Sequence, residues 1–134
     1  RYRSRLSGPL MDRIDLQLSV PRLAPHEMRS DAPRGESTAN VRARVIAARD
    51  IQMQRCEKTN ARLSQSETEK YCYLRTHDQT LLVRAMETMQ LSARATHRIL
   101  RVASTIADLA NSASIETRHL SEAIGYRQLD RNQM

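Results

Sequence analysis

The chain contains no phenylalanine and no tryptophan, and its aromatic content of 3% is four tyrosines. A core without large rings must be filled by aliphatic and methionine side chains. That favours close helix contacts through small residues over the interleaved faces of a β-sandwich. The three glycines, Gly8, Gly35 and Gly125, are too few and too scattered for a glycine-rich phosphate cradle, and no GxxxxGK[ST] string occurs. The two cysteines, Cys56 and Cys72, have neither CxxC nor metal-ligand spacing, which predicts a reduced, cytoplasmic chain. No apolar run approaches the roughly 20 residues that span a bilayer, so no membrane partner is expected, and no secretory signal pattern is present. The first residue is Arg1 rather than Met, and the native N-terminus is expected to lie upstream.

What is present is arginine. The net charge is +7 and the isoelectric point near 10.2, and Lys58 and Lys70 are the only lysines. Guanidinium groups recognise phosphates and carboxylates in a planar, bidentate way, so the bias suits a polyanion or an acidic protein surface. A coding preference for arginine would give the same composition without any function. Residues His26, His77, His97 and His119 lie on different segments and form no HExxH or other ligand spacing. No hydrophobic strand ends in paired acids, and Ser7 has no evident histidine and acid partners for nucleophilic catalysis. The chain contains no self-contained active site.

The organisation changes once along the chain. Ser7-Gly8-Pro9 is a turn signal, and Leu10–Arg13 can form one helical turn. Ile14, Leu16, Leu18 and Val20 alternate with polar residues at the period of a half-buried strand, ended by Pro21. A lone strand is not stable in water. This one is therefore expected to belong to a sheet beyond this chain, and here to disorder, fold onto the helices, or pair with another copy. Residues 22 to 36 carry Pro25, Pro33 and Gly35 among charges and read as a linker.

Helices are predicted from there on. Ser37 caps a helix to about Lys58, with Val41, Val45, Ala48 and Gln52 on one face. Ser64 and Glu67 have capping-box spacing ahead of a short helix over about 66 to 73. Asp78 or Thr76 caps a helix through Gln90. The clearest helix runs from Ser92 to about Asn111, with Ala95, Ile99, Val102, Ala103, Ile106 and Ala110 at three- and four-residue steps. A last helix begins at Ser114 or Glu116 and turns Leu120, Ala123 and Ile124 inward. The fold class is mainly α, a bundle of four or five helices preceded by a stub strand and linker.

Two arginines stand at element junctions. Arg13 lies between two acids just before the strand, which suggests a role on a neighbouring molecule. Arg94 lies in the first turn of the long helix, where a cation opposes the positive end of the helix dipole by a few tenths to about 1 kcal/mol. An anion held at the helix start would offset that cost, as phosphates do. A solvated arginine beside an acid is the alternative.

At these places the sequence resembles a known family. RLSGPLMDRIDLQLSVP with GESTANVRARVIAAR resembles the end of the ATPase core of magnesium-chelatase-like AAA+ proteins, the competence protein ComM group. LSARATHRILRVASTIADLA with HLSEAIGYRQLDR resembles their C-terminal helical domain. The resemblance covers nearly the whole chain. It implies that residues 1 to 36 close the AAA+ core and that residues 37 to 134 form the helical lid. It makes Arg13 the arginine finger, reaching the γ-phosphate of ATP on the adjacent subunit, and Arg94 the sensor 2 arginine, contacting the nucleotide of its own subunit. Arg98 and Arg101 receive no role. The phosphate loop, the magnesium-binding acids and sensor 1 would lie before Arg1. By this resemblance ATP and magnesium belong to the full-length protein, and the chain by itself is expected to hold neither. The implied partners are its own AAA+ core, neighbouring subunits of a hexameric ring, and DNA for the parent protein. The reading from a different class is a stand-alone basic helical module that binds nucleic acid directly, although stacking aromatics and helix-turn-helix spacing are missing.

Overall fold

A computed structural model describes residues 8–29 and 31–127. The sequence order is a short helix α1 (Gly8–Met11), an extended segment, a 3-10 turn at Pro25–Met28, and five helices. These are α2 (Thr38–Cys56), α3 (Gln65–Tyr71), α4 (Thr76–Met89), α5 (Ala93–Leu109) and α6 (Thr117–Gly125), with a second 3-10 turn at Asn60–Arg62 between α2 and α3. The mainly helical class is as expected.

Local chemistry sets most helix ends. The Ser37 hydroxyl accepts the Asn40 amide at 3.3 Å to start α2. The Ser92 hydroxyl accepts the Ala95 amide at 3.1 Å to start α5. At α3 the reciprocal box closes: Glu67 N donates to Ser64 Oγ at 3.2 Å and Ser64 N to Glu67 Oε2 at 2.8 Å. Helices α2 and α4 stop at Glu57 and Gln90, both left-handed in backbone. The start of α4 differs from expectation. Arg75 occupies the cap position without a side-chain cap, because Asp78 is buried and accepts the Thr117 hydroxyl at 2.6 Å, joining the starts of α4 and α6.

Helix α5 is the centre of the bundle. Ala95, Ile99, Ala103 and Ala107 form a buried stripe at four-residue steps. Its small side chains let α6, with Leu120 and Ala123, and α2, with Ala48 and Gln52, approach closely. Leu63, Cys72, Leu74, Leu82 and Ile115 complete the core. This packing accounts for a core built without Phe or Trp. A buried polar cluster locks α2 to α5. Arg55 pairs with Asp108, Asn60 Nδ2 donates to Asp108 Oδ2 at 2.9 Å, and Asn60 N donates to Gln52 Oε1 at 3.0 Å.

Two expectations are corrected. No strand forms over Ile14–Val20, and the described residues contain none. The segment lies extended against α5 and α6, because a ladder needs a second strand and the described chain supplies only helices. Gln17 is buried and its amide donates to the Tyr126 carbonyl at 2.9 Å, while Leu16, Leu18 and Val20 stay exposed. In α2 the predicted inward face holds only at Ala48 and Gln52. Val41 and Val45 are exposed with all of residues 38 to 47, because only the later turns of α2 lie against α5.

Candidate functional site

The Arg13 segment is fixed to the bundle on both sides of the arginine. After α1 the chain turns, with Arg13 N donating to Leu10 O at 3.0 Å and Ile14 N to Met11 O at 3.1 Å. On one side of Arg13, Asp12 Oδ2 accepts the Ser92 hydroxyl at 3.0 Å. On the other, the Ile14 carbonyl accepts Arg127 Nη1 at 2.6 Å, and Asp15 pairs with Arg98. Arg127 follows the end of α6 and is fully buried, with Nη2 3.7 Å from Asp12 Oδ1. The buried guanidinium thus sits behind the loop, and the flanking acids point at α5.

Arg13 and Arg94 are both exposed, and among the described residues no carboxylate or other acceptor holds either guanidinium. Because Asp12 meets Ser92, two positions before Arg94, the two arginines stand at the same end of the bundle, around the start of α5. Arg94, in the first turn of α5, opposes the helix dipole, and among the described residues neither guanidinium is neutralised internally. The arrangement suits an external anion such as a polyphosphate. Arg98 and Arg101 face other tasks. Arg98 carries the pair with Asp15, and Arg101 Nη1 donates to the Ala61 and Leu63 carbonyls at 3.3 Å each.

A groove of about 400 Å³ opens beside this region, walled by Leu16 and Leu18 on one side and by Val102, Ile106, Leu109 and Tyr126 on the other. It is apolar and not a phosphate cradle. Among the described residues no cluster of three or more His, Cys, Asp or Glu could hold a metal ion, and no helix is long and apolar enough to cross a membrane. Glu67 is held well below the usual carboxylate range. Its hydrogen bond from Lys58, helped by the Ser64 amide, lowers it to about 2, and this pair ties the turn after α2 to α3 rather than forming a reactive centre.

Sequence reasoning singled out Arg13 and Arg94, and missed the residues that fix them in space. Asp12 and Asp15 were visible as flanking acids, but their partners lie about 80 residues on, at sequence separations of 80 and 83. Nothing in the sequence marked Arg127.

The family of the magnesium chelatase subunit ChlI C-terminal region matches residues 35–127, and that of the magnesium chelatase subunit ChlI matches residues 1–28. The chain belongs to the magnesium chelatase subunit ChlI C-terminal family. Over 131 residues, 98% of the chain, it is 46% identical to the competence protein ComM of Haemophilus influenzae and to the uncharacterized protein YifB of Salmonella typhimurium. It is 36% identical over 132 residues to the uncharacterized protein Mb2921c of Mycobacterium bovis. In each case the chain spans 26% of the relative's length. This magnesium-chelatase-like helical domain thus presents two exposed arginines at one end.

Proposed function

We propose that this chain is the lid of a cytoplasmic AAA+ ATPase and supplies two arginines to its nucleotide sites. Arg13 acts as the finger that stabilises charge on the γ-phosphate of ATP bound by an adjacent subunit. Arg94 acts as sensor 2. The observation that carries the reading is the pair of exposed, carboxylate-free guanidinium groups at the start of α5, one of them on a segment anchored at both flanks. Loose surface arginines need no such anchoring, whereas phosphoryl transfer gains from a donor already in place. ATP is the substrate of this reaction. Magnesium comes with it, and no step is assigned to a magnesium ligand of this chain.

The shared location favours a refinement over the expectation that Arg94 serves its own subunit. If Arg13 crosses a subunit boundary, Arg94 at the same end of the bundle crosses it too, and both meet one nucleotide. The likeness to the competence protein ComM supports a ring-shaped, hexameric DNA motor acting in branch migration, with the AAA+ core, neighbouring subunits and DNA as partners.

The test uses the full-length protein. Arg13→Ala removes a finger worth about 10³- to 10⁵-fold in turnover and leaves ATP binding nearly intact; wild-type turnover in that variant sinks the assignment. Arg94→Ala should impair nucleotide use as well, and normal binding with normal turnover removes the sensor role. Rings mixed from Arg94→Ala subunits and subunits unable to bind ATP separate the two placements of Arg94. Restored activity indicates action across the boundary, and lack of restoration indicates action within one subunit.

A further inference from the structure

Arg98 has no role in the reading above, yet it makes an ion pair across 83 positions to the finger segment. It stands four residues after Arg94, on the same face of α5, and pairs with Asp15, two residues after Arg13. Its side chain is only 21% exposed, and its Nε is buried without an acceptor. The other contacts of the segment converge on the same arrangement. Ser92 holds Asp12 from the start of α5, while Arg127 and the Tyr126 carbonyl hold Ile14 and Gln17 from the end of α6. Over Asp12–Gln17 every one of these restraints is supplied by the lid helices, and the Arg13 side chain between them remains exposed.

We propose that Arg98 is a positioning residue for Arg13: through Asp15, and with Arg127 behind the loop at the Ile14 carbonyl, the helical bundle sets where the Arg13 guanidinium points. The inference rests on the finger reading of Arg13 and adds regulation to it. Because Arg94 and Arg98 lie one turn apart on α5, a tilt of the lid that follows nucleotide contact at Arg94 carries Arg13 with it as one rigid unit. Nucleotide state and finger placement then become a single mechanical variable. Arg98 itself touches no phosphate in this scheme.

The experiment compares full-length Arg13→Ala, Arg98→Gln, Asp15→Asn, the double variant Arg13→Ala/Arg98→Gln and the swap Asp15→Arg/Arg98→Asp, in steady-state ATPase assays and by amide hydrogen exchange. A finger displaced by about 1 Å loses on the order of 100-fold, so Arg98→Gln and Asp15→Asn should each lower kcat by roughly 10- to 100-fold with KM for ATP little changed. Arg98→Gln should add nothing to Arg13→Ala, because both act through one group, and the swap should recover part of the loss. Amides at Ile14 and Gln17 should exchange faster in Arg98→Gln while those of the α5 and α6 core do not, which excludes general unfolding. Wild-type kcat in Arg98→Gln beside an inactive Arg13→Ala overturns the proposal and leaves the finger intact. A loss that multiplies with Arg13→Ala also overturns it, placing Arg98 on some other task. If Arg13→Ala turns over normally, the finger reading itself fails. The exchange data then decide the latch alone, and unchanged protection at Ile14 and Gln17 overturns it.

Discussion

Replacing Asp108 by asparagine tests what holds α2 to the bundle. The Asp108 side chain is 1% exposed. Its Oδ1 accepts Arg55 Nη2, and its Oδ2 accepts Asn60 Nδ2 at 2.9 Å and Arg55 Nη1 at 3.4 Å. Asparagine keeps one acceptor oxygen and turns the other into a donor. Whichever way the amide faces, a donor meets Arg55 or Asn60, and Arg55 loses its counter-charge. Breaking a buried pair from one side costs about 3–5 kcal/mol. Two features lower that here. The Arg55 side chain is 24% exposed, so water reaches it, and Asn60 Nδ2 keeps Thr105 Oγ1 at 3.1 Å. We expect about 2–4 kcal/mol, which for a domain of this size lowers Tm by roughly 10 °C. Urea unfolding of the chain followed by far-ultraviolet circular dichroism reads it directly. The paired variant Arg55→Met/Asp108→Leu, which leaves no charge behind, should be more stable than Asp108→Asn alone. A loss under about 1 kcal/mol for Asp108→Asn, or a paired variant no better than it, would falsify the idea that this network is held by charge pairing.

Three further outcomes are expected. Glu67 is lowered to about 2 from 4.5, chiefly by Lys58 and then by the Ser64 amide. Its folded pKa lies below its unfolded one, so its contribution is complete above the unfolded value and is lost as pH falls from about 4.5 toward 2. A carbon-detected NMR titration giving Glu67 its ordinary value contradicts this, and high salt should shrink the effect, since the pair is exposed. Burial raises the Cys72 thiol above its usual value, and its exposure is 2%. Iodoacetamide should therefore modify it only in denaturant, and rapid native alkylation contradicts the packing. The isolated chain should bind duplex DNA weakly, because lid arginines serve nucleotide and subunit contacts in the proposed role. Submicromolar binding that falls steeply with salt would favour the stand-alone nucleic-acid module instead.

The parts legible in the sequence were those decided within one or two helical turns. The Ser37 cap and the Ser64–Glu67 box formed as read, since each joins groups three residues apart. The apolar stripe of α5 was legible at Ala95, Ile99 and Ala103, because a 3.6-residue period needs only the sequence, while Val102 and Ile106 are half-buried and Ala110 is exposed past the end of the helix. The segment over Ile14–Val20, read as a strand of a sheet beyond this chain that here would disorder, pair with another copy or fold onto the helices, folds onto the helices. Alternation describes two faces but supplies no hydrogen-bond partner, and the partner here is the Tyr126 carbonyl. The inward face of α2 was half right, because amphipathicity does not say how far along its length a helix is covered.

The sequence by itself determined the helical class, the caps that start α2 and α3, and Arg13 and Arg94 as cations at element junctions, all of which depend on near neighbours. Only the tertiary structure decided that these two arginines share one end of the bundle. It alone brought Asp12 to Ser92, Asp15 to Arg98 and the buried Arg127 to the Ile14 carbonyl. Each of those contacts joins residues at least 80 positions apart, and no local preference encodes such a pairing. It follows from how α5 and α6 pack, and from the extended segment that settles against them.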